Sequence, residues 1–238
     1  METIADDTAT EGLRERKKRL MRERLSTAAT EMFMERGFDA VRVADVAEEC
    51  GVSEKTVFNY FPTKEALVLD LLEATMDSLR TGLAERDVPP VEAALRILAV
   101  ELTGTTSSLA AQEDPARAIA AYRRFGDLIR STPSLRAYQS EMMDRFIAVA
   151  AEVLAERAGL RASDPEPQIA AAALLGLWRV QFQSLRRNLD GTRTPAQVER
   201  AVTADVHRAA RVIDAGLASL ADATSGARMG DVSTRTGE

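Results

Sequence analysis

Apolar residues recur at helical spacing along nearly the whole chain, and glycines and prolines interrupt that pattern at short intervals. From Leu13 the apolar positions fall on one face of a helix until Gly37, a residue suited to the position just after a helix. Aromatic residues make up only 5% of the chain and β-branched runs are short, which disfavours strands. The sequence therefore predicts an all-α fold of roughly nine helices.

Three helices are expected after the first one in the N-terminal part. The apolar spacing predicts a short helix over 43–50, which Gly51 ends. Ser53 can cap the next helix, which Pro62 stops after about two turns. A longer helix is expected over 63–86.

Prolines divide the rest of the chain into five further expected helices. Their approximate bounds are Val91 to Ser108, Ala116 to Arg130, Ser134 to Ala158, Gln168 to Asn188, and Ala196 to Ala221. We expect a disordered arm over 1–12, a DNA-binding domain over 13–62, a helical ligand-binding and dimerisation domain over 63–221, and a disordered tail over 222–238.

Single cysteine and histidine residues restrict the chemistry. Cys50 alone cannot form an internal disulfide, and with His207 it cannot build a Cys- or His-based metal centre. The longest apolar run, Ile169–Trp178, is shorter than the roughly 18 residues of a membrane span, and residues 1–10 lack an apolar targeting core. We expect a cytoplasmic protein without membrane contact, metal or cofactor.

An enzyme is the least favoured class. His207 and Cys50 are best interpreted as structural, and the chain has no paired Glu-x-x-His motif and no glycine-rich phosphate loop. The net charge of −6 means that any DNA binding must be local rather than a general coating.

The two short helices joined through Gly51 match a helix-turn-helix arrangement. The second helix presents Lys55, Thr56, Asn59 and Tyr60 on its polar face. Lysine can donate to guanine, asparagine can pair with adenine, and hydroxyls can bind phosphates or base edges. The spacing alone fits a plain helical hairpin with a solvated face equally well.

Several elements at fixed offsets resemble the TetR family of bacterial one-component regulators. They are Gly37-Phe38, Val46-Ala47, Gly51-Val52-Ser53, the run from Thr56 to Phe61, and the run from Lys64 to Leu67. The resemblance covers roughly residues 20–69. It implies a three-helix DNA-binding domain, a connecting fourth helix, and a helical effector domain that dimerises through its last two long helices.

The resemblance also assigns roles to individual residues. It implies that Ser53, Lys55, Thr56 and Asn59 face bases and backbone, and that Tyr60 and Lys64 anchor phosphates. Lys64 would also lie in the first turn of the fourth helix, where free N–H groups favour a phosphate.

Two positions depart from the family pattern. Arg42 stands near a frequent threonine at the start of the second helix, so a cap hydroxyl is missing, although Arg42 could reach a phosphate. Phe58 replaces a frequent tyrosine and removes one phosphate-binding hydroxyl. Both departures bear on DNA affinity rather than on the fold.

Upstream lies the one strongly basic stretch, which includes Arg14, Lys17 and Lys18. Such a run is usually a solvated helix face. Because it lies beside the helix-turn-helix, we expect it to follow the DNA backbone or to enter the minor groove, with operator binding sensitive to salt.

The last two helices carry small and apolar residues that suit close packing. The candidate dimer-interface residues are Ala170, Leu174, Leu177, Val202, Ala209, Ile213 and Leu217. A core face within one chain explains them nearly as well. A twofold dimer would place two recognition helices about one DNA turn apart and predicts a palindromic operator.

The resemblance further implies a ligand cavity in the effector domain. The candidate wall residues are Leu98, Leu102, Tyr122, Phe125, Met142, Met143, Phe146, Trp178 and Phe182, although such a set is more often ordinary core. Arginines at 123, 124, 186 and 187 suit a hydrophobic or amphipathic effector with an acid or phosphate group.

The sequence thus predicts a sequence-specific transcriptional regulator, most simply a repressor that a small ligand releases from a palindromic operator. A DNA-binding regulator without a small ligand, either an activator or a protein-responsive one, is the alternative.

Overall fold

Helix-forming sequence between proline and glycine breaks produces the observed architecture. A computed structural model of the chain describes the backbone of residues 12–69 and 72–230, and the side chains of 12–69 and 75–216. Within these ranges there are nine α-helices and no strand. They are α1 (Leu13–Arg36), α2 (Val43–Glu49), α3 (Glu54–Tyr60), α4 (Leu72–Ala84), α5 (Pro90–Ala110), α6 (Pro115–Ser131), α7 (Pro133–Ala158), α8 (Pro165–Asn188) and α9 (Pro195–Gly230).

The predicted all-α fold is confirmed, and most helix ends agree with the sequence within a few residues. Helices α5 to α9 each begin at a proline, where the missing N–H carries no cost because the first helical N–H groups have no intrahelical acceptor. No helix in the described ranges is long and apolar enough to cross a bilayer.

Two expected boundaries differ from the structure. The helix expected over 63–86 is replaced by a 3₁₀ turn at Glu65–Leu67 followed by α4, which starts at Leu72. At the other end, α9 runs to Gly230, nine residues past its expected end at Ala221. The expected arm up to residue 11, and positions 231–238 of the expected tail, lie outside the described residues.

The chain forms two units. The first contains α1 to α3, the 3₁₀ turn, and residues Arg124–Tyr138 from the end of α6 and the start of α7. Its core holds the fully buried Leu25, Val57 and Phe61, with Ile129 and Leu135 from the later segment. Sequence periodicity gave no signal that residues 124–138 would complete this core.

The second unit comprises residues from Leu72 to Arg123 and from Gln139 onward. Its core is built mainly from α5, α7, α8 and α9, and Leu98, Phe146, Leu174 and Val202 are buried in it. Arg157 closes the end of α4 by donating to the carbonyls of Leu83 at 2.7 Å and Val88 at 2.8 Å.

Candidate nucleic-acid interface

A tight turn at Gly51 joins α2 to α3. Gly51 has φ +63°, a left-handed conformation that favours glycine. Its N–H donates to the carbonyl of Glu48, and the N–H of Val52 donates to that of Ala47 at 2.9 Å. Because Val46 and Val57 are fully buried, the two helices are held in a fixed arrangement.

Ser53 starts α3 as the sequence predicts. Its hydroxyl oxygen accepts a hydrogen bond from the backbone N–H of Thr56 at 3.1 Å and lies 2.8 Å from the hydroxyl of Thr56. This cap satisfies one of the N–H groups left open at a helix start. The Ser53 and Thr56 hydroxyls therefore serve the helix as well as any contact with DNA.

The rest of α3 divides between a buried and an open face. Val57 faces the core, while Lys55 and Asn59 lie two residues away in either direction and are exposed on the other side. Tyr60 is half-buried, and the ring of Phe58 is 45% exposed. The arrangement can present an amide, an ammonium group and an aromatic ring to a partner.

Arg42 is held by a neighbour. The backbone N–H of Arg42 donates to Oδ2 of Asp45 at 2.8 Å, and its guanidinium donates to Oδ1 at 2.9 Å. These two hydrogen bonds, the backbone one first, lower the pKa of Asp45. Asp45 thus binds the N–H of Arg42, which is not the helix N–H that a cap hydroxyl would bind, and a phosphate would have to compete with Asp45 for the exposed Arg42.

Lys64 has partners that the sequence did not indicate. Its ammonium donates to the carbonyl of Phe38 at 2.5 Å and lies 4.3 Å from the centre of the Phe38 ring and 5.5 Å from that of Phe33. The helix start expected to assist it is also absent, because residues 65–67 form the 3₁₀ turn. The structure therefore gives Lys64 a role inside the first unit.

The basic stretch lies on the first turns of α1. Residues 12–20 are all exposed, including Arg14, Lys17 and Lys18, and the first fully buried side chain of α1 is Leu25. Further along, Arg22 donates to the carbonyl of Tyr60 at 3.1 Å, and its guanidinium lies 4.8 Å from the centre of the Phe61 ring. Arg22 therefore ties α1 to the end of α3, which counting charges could not reveal.

The candidate ligand residues separate in the structure. Leu98, Leu102, Phe146 and Trp178 are buried in the core of the second unit, and Tyr122 and Met143 pack against it. Met142 is also buried. Phe125 packs instead in the core of the first unit, and Phe182 is 57% exposed, so the grouping of these two with the others is not supported.

Three of the four arginines that the sequence suggested for an acidic effector are bonded elsewhere in the chain or belong to the first unit. Arg187 pairs with Asp205 at 2.9 Å, the guanidinium of Arg123 donates to the carbonyl of Asp190, and Arg124 belongs to the first unit. The indole nitrogen of Trp178 donates to Glu101 at 2.9 Å, a partner that sequence reasoning missed.

A groove between α4 and α5 has a volume of about 280 Å³. Its lining includes Gly82, Ile97, Val100 and Glu101. None of the nine candidate ligand residues lines it.

The candidate dimer residues lie mostly inside one chain. Leu174, Leu177 and Val202 are fully buried, as the alternative of an intramolecular core face requires. Ala170, Ala209 and Ile213 are partly buried and pack against the same core, while the side chain of Leu217 lies outside the described residues. The large apolar side chains left exposed on α8 and α9 include Ile169 and Val212, at 61% and 75%.

Family comparisons agree with this geometry in both units. Residues 25–71 match the family model of bacterial regulatory proteins of the TetR family, and residues 105–218 match the model of the MftR C-terminal domain. The chain belongs to the TetR family. The predicted family is thereby confirmed, and this TetR-family protein is a DNA-binding transcriptional regulator.

Relatives of this TetR-family chain are named as regulators. One is MftR of Mycobacterium tuberculosis, named for regulation of mycofactocin biosynthesis, which is 28% identical over 64% of this chain and 73% of its own. Another is TcmR of Streptomyces glaucescens, 26% identical over 71% of this chain and 74% of its own. A third is EthR of Mycolicibacterium smegmatis, 30% identical over 59% and 62%.

Similar solved structures include Thermus thermophilus FadR, a TetR-family repressor in complex with lauroyl-CoA. It is 26% identical, with a TM-score of 0.46, over 81% of this chain and 92% of that chain. NalD of Pseudomonas aeruginosa, a secondary repressor of a multidrug efflux pump, is 22% identical, with a TM-score of 0.47, over 81% and 97%.

Proposed function

We propose that the protein is a homodimeric repressor that reads a palindromic operator with α3 and leaves it when a small ligand binds the second unit. The observation that carries the DNA-reading step is the division of α3, with Val57 in the core and Lys55 and Asn59 exposed opposite it. A helix whose apolar face packs in the core and whose polar face is exposed can enter the major groove while the domain stays folded.

The side chains of α3 suit direct base recognition. Asn59 can pair through its amide with N6 and N7 of adenine, and Lys55 can donate to O6 or N7 of guanine. The exposed cations of α1, among them Arg14, Lys17 and Lys18, would add contacts with phosphates. Specificity would therefore come from α3, and salt-dependent affinity from α1.

The homodimer is the arrangement in which family members act. For this chain we propose the outer faces of α8 and α9 as the interface, because Ile169 and Val212 are exposed there. Leu174, Leu177 and Val202 are already used within one chain. Substituting Ile169→Glu or Val212→Glu is expected to yield monomers in sedimentation measurements, whereas Gln139→Glu, on an exposed polar position of α7, should leave the dimer intact.

Release would be a population shift between two states of the dimer, only one of which holds both α3 helices in operator register. Helix α4 is the expected lever, since it follows the first unit in the chain. Replacing the exposed Arg80, in the middle of α4, with glycine should weaken the induction by ligand, because glycine loosens the helix. Operator affinity should stay within about threefold of the wild type, because Arg80 belongs to the second unit and α3 to the first.

The experiment that tests this function selects duplexes from a random DNA pool with the purified protein. We expect a palindrome whose half-sites are centred about one helical turn apart. The mycofactocin biosynthesis promoters are the first natural targets to examine, given the MftR matches. Transcription from an enriched promoter should fall when the protein is present; a rise would assign it to the activators, and absence of any enriched sequence would contradict the proposal.

A further inference from the structure

The groove between α4 and α5 combines apolar surface with one half-buried carboxylate. Ile97 and Val100 of α5 provide apolar surface, and Gly82 of α4 lies close to Ile97. A Cβ atom on Gly82 would lie only 3.0 Å from Cδ1 of Ile97, so a side chain there would require Ile97 to shift slightly. The open volume of about 280 Å³ lies just below the roughly 300–1,000 Å³ of typical ligand pockets, so the groove suits only a small organic molecule.

Glu101 lines this groove and is half-buried. One of its carboxylate oxygens accepts from the hydroxyl of Thr75 at 3.0 Å, and the other accepts from the indole N–H of Trp178 at 2.9 Å. Both donors are neutral. In the part of the chain whose side chains the structure describes, no cation is bonded to Glu101, and burial raises the pKa of its carboxyl group.

The remaining charges of the groove leave it negative. Glu85 and Arg96 line it together with Glu101. The guanidinium of Arg96 is bound by Glu92 at 2.5 Å and lies 3.9 Å from Glu85. Arg96 is therefore neutralised by carboxylates of its own surroundings and does not provide a counter-charge for Glu101.

We propose that this groove binds a small organic cation, a hydrophobic amine whose apolar body lies on Ile97 and Val100 and whose ammonium group donates to Glu101. A charged donor provides what the two neutral donors lack, because a hydrogen-bonded ion pair compensates for the partial burial of the carboxylate. The chemistry is opposite to the acidic effector that the arginines in the sequence suggested. This binding step does not rest on the proposed function and is measured without DNA.

Trp178 makes the site directly observable. It is the single tryptophan of the chain and is bonded to the carboxylate that would receive the ligand. We would titrate the full-length protein at pH 8 with 4-phenylbutylamine, 4-phenylbutan-1-ol and 4-phenylbutanoate, which share one apolar body. The amine should shift the emission of Trp178 and bind roughly tenfold to a hundredfold more tightly than the alcohol, since hydrogen bonds to charged groups are the stronger ones.

Glu101→Gln provides the decisive variant. Its amide oxygen can still accept from Trp178, and its amide nitrogen can donate to the hydroxyl of Thr75, so the fold should be kept. The preference for the amine should vanish in this variant and persist in the matched control Glu113→Gln, which removes an exposed charge outside the groove lining. Calorimetric titration repeats the comparison without relying on tryptophan.

Equal binding of the three compounds, tightest binding of the carboxylate, or an unchanged amine preference in Glu101→Gln would each overturn the proposal. Failure of the protein to select any DNA sequence would leave this result unaffected and would count only against the proposed function.

Discussion

The ammonium group of Lys64 donates a hydrogen bond of 2.5 Å to the backbone carbonyl of Phe38 and lies 4.3 Å from the centre of that residue's ring. This contact joins the segment after α3 to the segment after α1. It makes Lys64 a structural residue of the first unit, in a position where family resemblance alone implies a phosphate anchor.

Replacing Lys64 should therefore act on stability. Lys64→Met keeps much of the apolar stem but loses the donor to Phe38 and the cation–π contact, and we expect the free energy of unfolding to fall by about 1–2 kcal/mol. Thermal unfolding of the wild type and of Lys64→Met measures this change in stability. Lys55→Met is the matched control: it is exposed on α3, so it should weaken DNA binding with little change in stability. The reverse pattern would show that Lys64 is mainly a DNA contact.

Phe58 offers a gain-of-affinity test. The ring is exposed on α3, so Phe58→Tyr adds a hydroxyl without disturbing the core. One additional hydrogen bond to a phosphate should tighten operator binding by roughly threefold to tenfold at fixed salt. Fluorescence anisotropy with a labelled operator is the appropriate measurement. Unchanged affinity would indicate that this side of α3 does not approach the DNA backbone.

Asp205 connects α8 to α9. Its Oδ2 accepts from the hydroxyl of Ser184 at 2.6 Å and from Arg187 at 2.9 Å, and its Oδ1 accepts from Arg208 at 2.6 Å. The Ser184 hydrogen bond first, and then the arginines, lower the pKa of Asp205. A carboxylate whose pKa is lower in the folded state stabilises the fold above its unfolded pKa of about 3.9, and this contribution is lost as the pH falls through the folded value.

Asp205→Ala should accordingly lower the free energy of unfolding at pH 7 by about 1–3 kcal/mol, because the fully buried Ser184 hydroxyl loses its acceptor. Asp205→Asn should lose less, since its amide oxygen can still accept from Ser184. In both variants stability should fall less steeply below pH 4 than in the wild type. Parallel acid-unfolding curves for all three proteins would refute this role.

Arg157 closes the end of α4 with two carbonyl contacts. Burial, and then repulsion from Arg86, lower the pKa of its guanidinium, so this cation is held at some electrostatic cost. Arg157→Met should reduce stability by about 1–3 kcal/mol by leaving the carbonyls of Leu83 and Val88 without a donor. Arg157→Lys should recover only part of the stability lost in Arg157→Met, because an ammonium group cannot reach both carbonyls as the planar guanidinium of arginine does. Denaturant unfolding of the three proteins tests this, and equal midpoints would contradict it.

Local patterns in the sequence were sufficient for much of the fold. Gly37 follows the end of α1, and Gly51 lies in the turn after α2. The prolines at the starts of α5 to α9 mark the beginnings of these helices within a few residues of the predicted positions. Ser53 caps α3 through a contact three residues away, which is the range that sequence patterns describe. The exposed positions of α3 followed from the same short-range spacing.

Contacts distant in sequence account for the differences. The hydroxyl of Ser26 donates to the carbonyl of Leu67 at 2.9 Å, and Leu67 is fully buried, so the segment after Pro62 follows tertiary packing instead of continuing as a helix. Arg22, Lys64 and Glu101 find partners 26 to 77 residues away. No periodicity could show these pairs, because each depends on how the helices pack.

The central claim is that α3 reads base sequence, and Asn59 tests it most directly. Using an operator selected from random DNA, we would measure the affinity of the wild type and of Asn59→Ala for every single base-pair substitution in one half-site. The account predicts that the wild type discriminates by roughly tenfold to a hundredfold at one pair, and that Asn59→Ala loses discrimination at that pair alone. Full retention of the wild-type profile by Asn59→Ala would contradict it.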